Sequence, residues 1–353
     1  MADNYYQLYK LASAPTEAFL LNEGSVYFFV TDADKYMLKG NNLLLGATEL
    51  ILGNMLGAPS QRIETALAEA GAKIKKIPAD KFLSSMNNYS VIVNVSMVIA
   101  KQVLLTNQII NKNFGSLGGE EKKVKDISIE YFRIVSRLKK EFFKRKYPWL
   151  NALIDKYENS LLCKRGQSFD RAAEPMRISS PIALSDTTLQ YEKDSVICEE
   201  GSIGDEMYIL QSGSIDVYIG DNRITTISDQ GYVFGEMALF LGEKRSATLK
   251  ARNNVVLARL RKNDLREISA KHGDVLISIL TSLAKKHFYN TEKIVSINNL
   301  IIEKRLSAGQ DDPQKKHIDT TRSATELLSL KKDVENLYIS RNAEFLKDMV
   351  EGF

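Results

Sequence analysis

Phe-Gly-Glu-Met-Ala-Leu-Phe-Leu-Gly-Glu-Lys-Arg-Ser-Ala-Thr-Leu-Lys-Ala, residues 234–251, is the most informative stretch of this chain. Gly235 and Glu236 precede a short apolar run that predicts a helix of one or two turns, and Arg245 follows Glu236 by nine residues. The first N–H groups of a helix have no partner within it and attract anions, and glycine lets an anion approach the backbone closely. Arginine adds a planar pair of donors suited to two phosphate oxygens. The stretch therefore predicts an anion site.

Glu236 must serve another part of such a ligand, because a carboxylate repels a phosphate. Its carboxylate can accept a hydrogen bond from a sugar hydroxyl. Each of these residues alone has an ordinary structural explanation, since Gly-Glu commonly starts a helix and a single arginine is commonly a solvated surface residue. Their spacing, and the pattern around them, favour a ligand that carries both a phosphate and a sugar.

Residues 234–247 resemble the phosphate-binding cassette of the cyclic nucleotide-binding domain family, found in protein kinase A regulatory subunits, cyclic nucleotide-gated channels and the catabolite activator protein. The resemblance implies that Glu236 holds the ribose 2′-hydroxyl and that Arg245 holds the phosphate. It also implies that Ser246 adds a hydroxyl, and Ala247 a backbone N–H, to the phosphate. The predicted ligand-binding residues are Phe234, Gly235, Glu236, Met237, Ala238, Arg245, Ser246 and Ala247.

Short β-branched and aromatic runs surround the cassette across residues 187–260. Turn-forming glycine, asparagine and aspartate separate these runs, a pattern typical of an all-β roll or sandwich. Gly201 and Gly204 are predicted turn positions. In the family a Gly-Asp-Glu turn at this place orients the phosphate-binding arginine, so the resemblance implies that Asp205 supports Arg245. Ordinary turn chemistry is the alternative explanation for Asp205.

Part of the pattern occurs twice in the chain. Residues 77–101 echo residues 260–285, and in both segments a strand, a short turn and helical residues follow one another with nearly equal spacing. Upstream of the first copy, residues 24–30 and 43–46 are predicted strands that lead into a second cassette. The sequence therefore predicts two related β-rolls.

The first cassette is predicted to be degenerate. It begins at Gly46, but Ala47 stands at the position of Glu236, so the ribose acceptor is missing. Arg62 follows the glycine by sixteen residues instead of ten. Glu49 as a shifted ribose ligand is the alternative. We expect the first roll to bind no nucleotide and to act by docking on the second roll or by contacting a partner.

Composition bounds the class of protein. The chain has 353 residues, 44% of them hydrophobic and 26% charged, as in ordinary globular domains. Its formal net charge of +4 is too small to indicate nucleic-acid binding. Cys163 and Cys198 provide neither a disulfide framework nor metal spacing, which is compatible with a reducing cytoplasm. The N-terminal residues lack the pattern of a secretory signal peptide, so a cytoplasmic location is expected.

Catalysis, metal binding and a membrane span have little support in the sequence. The histidines, His272, His287 and His317, lack metal-ligand spacing. There is no Gly-x-Ser-x-Gly elbow, Walker loop or paired-carboxylate motif, so we expect no enzyme activity. The apolar residues 91–110 are interrupted by Asn94, Lys101, Gln102 and Asn107, which favours a buried or amphipathic helix over a membrane span.

The predicted fold is α+β, with two jelly-roll-like β-rolls, flanking helices and a helical connector. The expected domains are a degenerate roll at 1–115, a helical connector and linker at 116–182, the nucleotide-binding roll at 183–303, and a flexible tether with a short helix at 304–353. Within the connector, residues 165–181 are predicted to be irregular because they are polar and contain two prolines.

The segments after the second roll are assigned from their periodicity. The family uses helices here as a lid, often with an aromatic residue on the purine, and Phe288 and Tyr289 are the candidates; both are equally compatible with a place in the core. Residues 304–321 predict a flexible tether. A capping-box pattern at Ser323 then precedes a leucine-rich seam at 327–337, about two heptads long. This seam could dock on the chain itself, on a partner, or on a second copy.

These patterns together predict a cytoplasmic, non-catalytic cyclic-nucleotide sensor that signals through lid-helix movement to an unidentified protein effector. Ser246 favours cAMP, since cGMP-selective family members favour threonine there; cGMP is the alternative. An interaction scaffold whose rolls no longer bind nucleotide is the runner-up function. A transcription factor is disfavoured, because no helix-turn-helix pattern follows residue 299.

Overall fold

The computed structural model describes residues 5–56, 61–171, 188–271, 273–308 and 313–353. The chain divides into two compact units. The first comprises Met1–Gln108 and Pro175–Thr291, and the second comprises Ile109–Glu174 and Glu292–Phe353. All strands found in the described residues belong to the first unit, and the second unit is helical.

The first β-roll consists of two antiparallel sheets. Its strands are β1 (Tyr5–Tyr9), β2 (Glu17–Glu23), β3 (Ser25–Phe29), β4 (Lys35–Lys39), β5 (Leu43–Leu45), β6 (Thr65–Glu69) and β7 (Lys73–Pro78), and helix α1 (Thr48–Leu56) follows β5. One sheet has the order β1-β6-β3-β4 and the other β5-β2-β7. Strand β4 shows why these segments form half-buried strands: Tyr36 and Leu38 are buried, and the residues between and beside them are exposed.

The second β-roll has the same construction. Its strands are β8 (Thr188–Tyr191), β9 (Val196–Cys198), β10 (Glu206–Ser212), β11 (Ile215–Ile219), β12 (Asn222–Ile227), β13 (Val233–Phe234), β14 (Thr248–Ala251) and β15 (Val255–Arg261), and helix α7 (Glu236–Leu241) follows β13. Its sheets have the orders β13-β10-β15-β8 and β12-β11-β14-β9.

The two rolls repeat one strand order. The set β5-β2-β7 corresponds to β13-β10-β15, and β1-β6-β3-β4 corresponds to β9-β14-β11-β12. In both rolls a short helix follows the edge strand of the three corresponding strands: α1 follows β5, and α7 follows β13. The predicted fold of two β-rolls with flanking helices is confirmed.

Helices that follow each roll join the two rolls in one apolar core. They are α2 (Ala79–Ser84) and α3 (Tyr89–Gly115) after the first roll, and α8 (Leu265–Lys271) and α9 (Gly273–Ala308) after the second. Leu50 and Ile51 of α1, Leu239 of α7, and Ile279 and Leu283 of α9 all belong to the same buried cluster. Docking of the first roll on the second, one of its two expected roles, is what the structure shows.

Helix α3 passes the length and composition test for a membrane-spanning helix, and half of its most apolar window is buried within the protein. Ile92, Val95, Ile99 and Val103 of this helix lie in the core that the two rolls share. This placement matches the buried helix that the sequence predicted. The core helix of a globular protein can be as long and as apolar as a membrane span.

The second unit is built from α4 (Gly119–Arg145), α5 (Pro148–Tyr157), α6 (Leu161–Arg171), the last part of α9, α10 (Pro313–Ser340) and α11 (Lys347–Val350). Leu327, Leu330 and Val334 of the seam at 327–337 are buried in one cluster with Tyr131 and Leu138 of α4. In this structure the C-terminal seam therefore packs within its own chain, which is the first of its three expected uses.

Parts of two segments that were expected to be irregular are helical. Residues 165–171 of the predicted linker continue α6, where Arg165 is buried and pairs with Glu303; the remainder of that linker lies outside the described residues. The predicted tether is helical over 304–308 and 313–321, so α10 begins at Pro313 and not at Ser323. Proline suits the first turn of a helix because the N–H groups there have no helical partner.

Candidate functional site

The second cassette begins at a glycine that no other residue could replace without strain. Gly235 has a φ of +85°, a left-handed conformation, and caps the N-terminus of α7. A Cβ atom at this position would lie 2.4 Å from Nη1 of Arg245. Both the backbone conformation and the close approach of the guanidinium therefore require glycine.

Arg245 is lodged between backbone groups. Its side chain donates from Nη2 to the carbonyl of Glu206 at 2.7 Å and from Nη1 to the carbonyl of Gly235 at 3.4 Å. Gly204 lies against the same guanidinium, because a Cβ there would be 2.4 Å from Nε. The predicted turn at Gly204 thus serves the arginine by leaving space for it.

The electrostatic setting of Arg245 is unusual. The residue is only 8% exposed, and within the described residues its guanidinium forms no ion pair with a carboxylate. Its other neighbour is the ring of Tyr208, whose centroid lies 5.5 Å from the guanidinium carbon. Burying a cation without a counter-ion is costly, so the position is suited to an added anion.

The structure does not show the contact between Asp205 and Arg245 that the resemblance implies, so this role stays a prediction. Asp205 is exposed and, in the part of the chain that the structure describes, forms no ion pair with the arginine. The backbone holds the arginine instead, since its N–H donates to the carbonyl of Ser202 and its carbonyl accepts from the N–H of Gly201, both at 2.8 Å. These two hydrogen bonds fix the backbone from which the side chain extends.

Glu236 follows Gly235, whose carbonyl accepts a hydrogen bond from Arg245, but its buried carboxylate pairs with Lys286. The residue is 4% exposed, and Nζ of Lys286 on α9 donates to its Oε1 at 2.9 Å. The carboxylate raises the pKa of Lys286, because it stabilises the charged ammonium. Sequence reasoning missed Lys286: it lies 50 residues from Glu236, and one lysine in a charged helix has no distinguishing spacing.

The remaining cassette residues divide between core and surface. Phe234 and Ala238 are buried and Met237 packs partly buried against the shared core, so their side chains support the cassette from behind. Ser246 is exposed, where its hydroxyl is accessible. Ala247 is half-buried and its carbonyl faces the Cys198 thiol.

The two lid candidates lie on α9. Phe288 packs partly buried against the shared core and meets Tyr289 edge to face, with ring centroids 5.8 Å apart. Tyr289 is half-buried. Phe288 thus packs against the core in this structure, and its role as a lid residue stays a prediction.

The first cassette holds its arginine by the same kind of contacts. Arg62 donates from Nη1 to the carbonyl of Gly46 at 2.7 Å and from Nη2 to the carbonyl of Glu17. Here, however, Glu49 lies 3.0 Å from Nη1, and this ion pair is buried on both sides. Oε1 of Glu49 also accepts the backbone N–H of Ile63 at 3.1 Å. The protein's own carboxylate neutralises the first arginine.

A buried polar cluster adjoins the first cassette, and the sequence did not predict it. The Tyr36 hydroxyl donates to Glu64 at 2.7 Å and lies 3.1 Å from Nε2 of His287. Nδ1 of His287 lies 3.0 Å from the hydroxyl of Thr48, at the start of α1. Gln102 donates to both Tyr36 and Glu64. Burial raises the pKa of Glu64 to about 8 and lowers that of His287 to about 3, so both groups are mainly uncharged near pH 7.

Comparison with known proteins places the second roll in a family. The family model for the cyclic nucleotide-binding domain matches residues 188–272. A cAMP-dependent protein kinase regulatory subunit of Candida albicans is 37% identical over 78 residues, which are 22% of this chain and 17% of that protein. The equivalent subunit of Mucor circinelloides is 38% identical over 71 residues, 20% of this chain and 16% of that protein. The chain thus spans about a sixth of the length of these relatives.

A solved structure described as cAMP-bound PfPKA-R covers 78% of this chain and 74% of its own, with 16% identity and a TM-score of 0.26.

Proposed function

With residues 188–272 a member of the cyclic nucleotide-binding domain family, we propose that the second β-roll binds a cyclic nucleotide at its cassette. The observation that supports this most directly is the buried guanidinium of Arg245, which among the described residues has carbonyl partners and no carboxylate. A phosphate would supply the missing counter-charge through two charge-assisted hydrogen bonds. Arg245 is therefore assigned to the phosphate.

The buried Glu236 is assigned to the sugar. Its carboxylate lies next in the chain to Gly235, whose carbonyl binds Arg245, so the carboxylate and the guanidinium occupy neighbouring positions without pairing with each other. The exposed hydroxyl of Ser246 and the backbone at Ala247 would complete the phosphate contacts. In this assignment Arg245 binds the phosphate of the ligand and Glu236 binds its ribose hydroxyl.

The preferred ligand is cAMP. Ser246 favours it over cGMP by the family pattern, and the two relatives above are described as cAMP-dependent. The first roll is assigned no ligand, because Glu49 already neutralises Arg62 and Ala47 offers no ribose acceptor.

The chain would act as a non-catalytic sensor that reports the ligand to a protein effector. Within the described residues no cluster of three or more histidine, cysteine or acidic side chains could hold a metal ion. Helix α9 is the element that would report, because it carries the partner of Glu236 and packs in the shared core. A ligand shifts such an equilibrium only by its difference in affinity for the two states.

One observation favours the runner-up, an interaction scaffold that binds no nucleotide. The ribose acceptor Glu236 is already engaged by Lys286, so the protein stabilises this cassette without a ligand group. The sensor and the scaffold can be distinguished by measuring whether the chain binds a cyclic nucleotide.

Isothermal titration of the whole chain with cAMP and with cGMP separates them. The sensor predicts saturable binding of one cyclic nucleotide per chain, with cAMP bound more tightly. Two bound nucleotides per chain would show that the first roll is competent. No binding of either nucleotide would support the scaffold.

A further inference from the structure

Two consecutive residues of α9 bind different rolls. Lys286 forms the ion pair with Glu236 in the second cassette, at 2.9 Å. His287, the next residue, lies between Tyr36 and Thr48 of the first roll, at 3.1 and 3.0 Å. Consecutive side chains of a helix point about 100° apart, so one helix can face two surfaces at once.

The histidine side of α9 is held at more than one point. Asn290, three residues after His287 and on the same face, donates to the hydroxyl of Thr106 at 2.9 Å and to the amide oxygen of Asn107 at 3.0 Å. His287 itself is 1% exposed, in an uncharged polar cluster where every contact is directional. A rotation or shift of α9 would therefore break several buried hydrogen bonds to the first roll and to helix α3, which follows it.

The lysine side of α9 is less firmly held. The Lys286 side chain is 40% exposed, so water can replace its contact with Glu236. Glu236 is 5% exposed by its side chain and cannot turn to solvent in the same way. A group that brings its own donor to Glu236 would displace the lysine without leaving the carboxylate unpaired.

We propose that Lys286 is an internal competitor for the sugar-binding carboxylate, and that its displacement by a cyclic nucleotide is transmitted through His287 to the first roll. This inference rests on the proposed function, because the displacing donor is the ribose hydroxyl. It assigns the first roll a role that its own cassette cannot fill: it senses the occupancy of the second cassette through α9.

The competition is tested by Lys286→Met in the whole chain, with Lys285→Met as the matched control on the same helix. Among the described residues Lys285 forms no ion pair, so its loss leaves Glu236 engaged. Removing the competitor should tighten cAMP binding about two- to fivefold, the range expected for one partly exposed ion pair. Unchanged or weaker binding in Lys286→Met would overturn the competition.

The transmission is tested by amide hydrogen exchange of the first roll. Saturating cAMP should raise exchange in wild-type peptides that contain Tyr36 and Thr48, and Lys286→Met should raise it without nucleotide, whereas Lys285→Met should not. First-roll exchange that responds to neither cAMP nor Lys286→Met would overturn the transmission.

Failure of the proposed function can be recognised separately. A wild-type chain that binds neither cyclic nucleotide refutes the sensor and the competition together. The exchange comparison of Lys286→Met with Lys285→Met still decides whether α9 couples the two rolls, because that arm contains no nucleotide.

Discussion

Arg62 and Arg245 are held alike in the two rolls of this protein. Each donates from Nη1 to the carbonyl of the glycine that opens its cassette, and from Nη2 to the carbonyl of a glutamate at the start of a central strand. They differ in one respect: Arg62 has a carboxylate at 3.0 Å, and among the described residues Arg245 has none. Two rolls of similar strand order thus hold one arginine that the chain's own carboxylate neutralises and one arginine that we propose for the phosphate of the ligand.

Replacement of the second arginine should abolish tight binding. Arg245→Ala removes the counter-charge of the phosphate, and we expect a loss of about 2–4 kcal/mol in binding free energy for cAMP. Isothermal titration measures it. Arg252→Ala, an exposed arginine of the same roll, is the matched control and should bind as wild type does. Equal affinities of Arg245→Ala and wild type would refute the assigned site.

We expect the buried ion pair between Arg62 and Glu49 to stabilise the folded chain. Glu49→Gln keeps the shape of the side chain but leaves a buried guanidinium without its counter-charge, and should lower the free energy of unfolding by about 3–5 kcal/mol. Urea denaturation measures this change. Glu23→Gln removes an exposed pair with Lys73 and should leave the midpoint unchanged. A similar midpoint for both variants would show that the Glu49 pair is not needed.

The stability of the folded chain should decline with rising pH because of the buried Glu64. Its pKa in the folded chain is about 8, above the ordinary value of 4.5, so the folded state holds more protons than the unfolded state and stability declines as the pH rises towards 8. His287 acts in the opposite direction, because its pKa of about 3 is depressed from 6.5, and its contribution is complete above pH 6.5.

Between pH 6.5 and 8 Glu64 should therefore dominate the contribution of this cluster. The expected slope is at most about 1.4 kcal/mol per pH unit for one proton. Glu64→Gln, which mimics the protonated acid, should flatten the decline. Urea denaturation at several pH values measures both chains, and an equally steep decline in the variant would assign the effect to another group.

The C-terminal helix should stabilise its own chain. Leu330 is fully buried against α4, and Leu330→Ala should cost about 2–5 kcal/mol. Leu328→Ala, two residues away and 63% exposed, is the control and should be neutral. Thermal unfolding at two protein concentrations measures both. If the loss in Leu330→Ala depended on concentration, the seam would be acting between chains.

Much of the second roll could be predicted from its own short segments. Gly235 and Arg245 are ten residues apart, and the turns and strands around them follow from local chemistry: positive φ at glycine, β-branched runs and half-buried alternation. The family match to residues 188–272 covers this same region. The prediction of a flexible tether was wrong where the structure describes that segment. Its polar composition suggested disorder, but α9 extends to Ala308 and α10 begins at Pro313, which suits the first turn of a helix.

The sequence by itself determined the two rolls and the turns and strands around the cassette, because these depend on residue types at short spacing, and it predicts that Ala47 leaves the first cassette without a ribose acceptor. Only the tertiary structure decided which groups neutralise the buried charges: Glu49 for Arg62, and Lys286 for Glu236. It also placed His287 beside Tyr36, 251 residues earlier in the chain. Periodicity shows which face of a helix is buried, but it does not identify the side chain that lies opposite, since that depends on how distant elements pack.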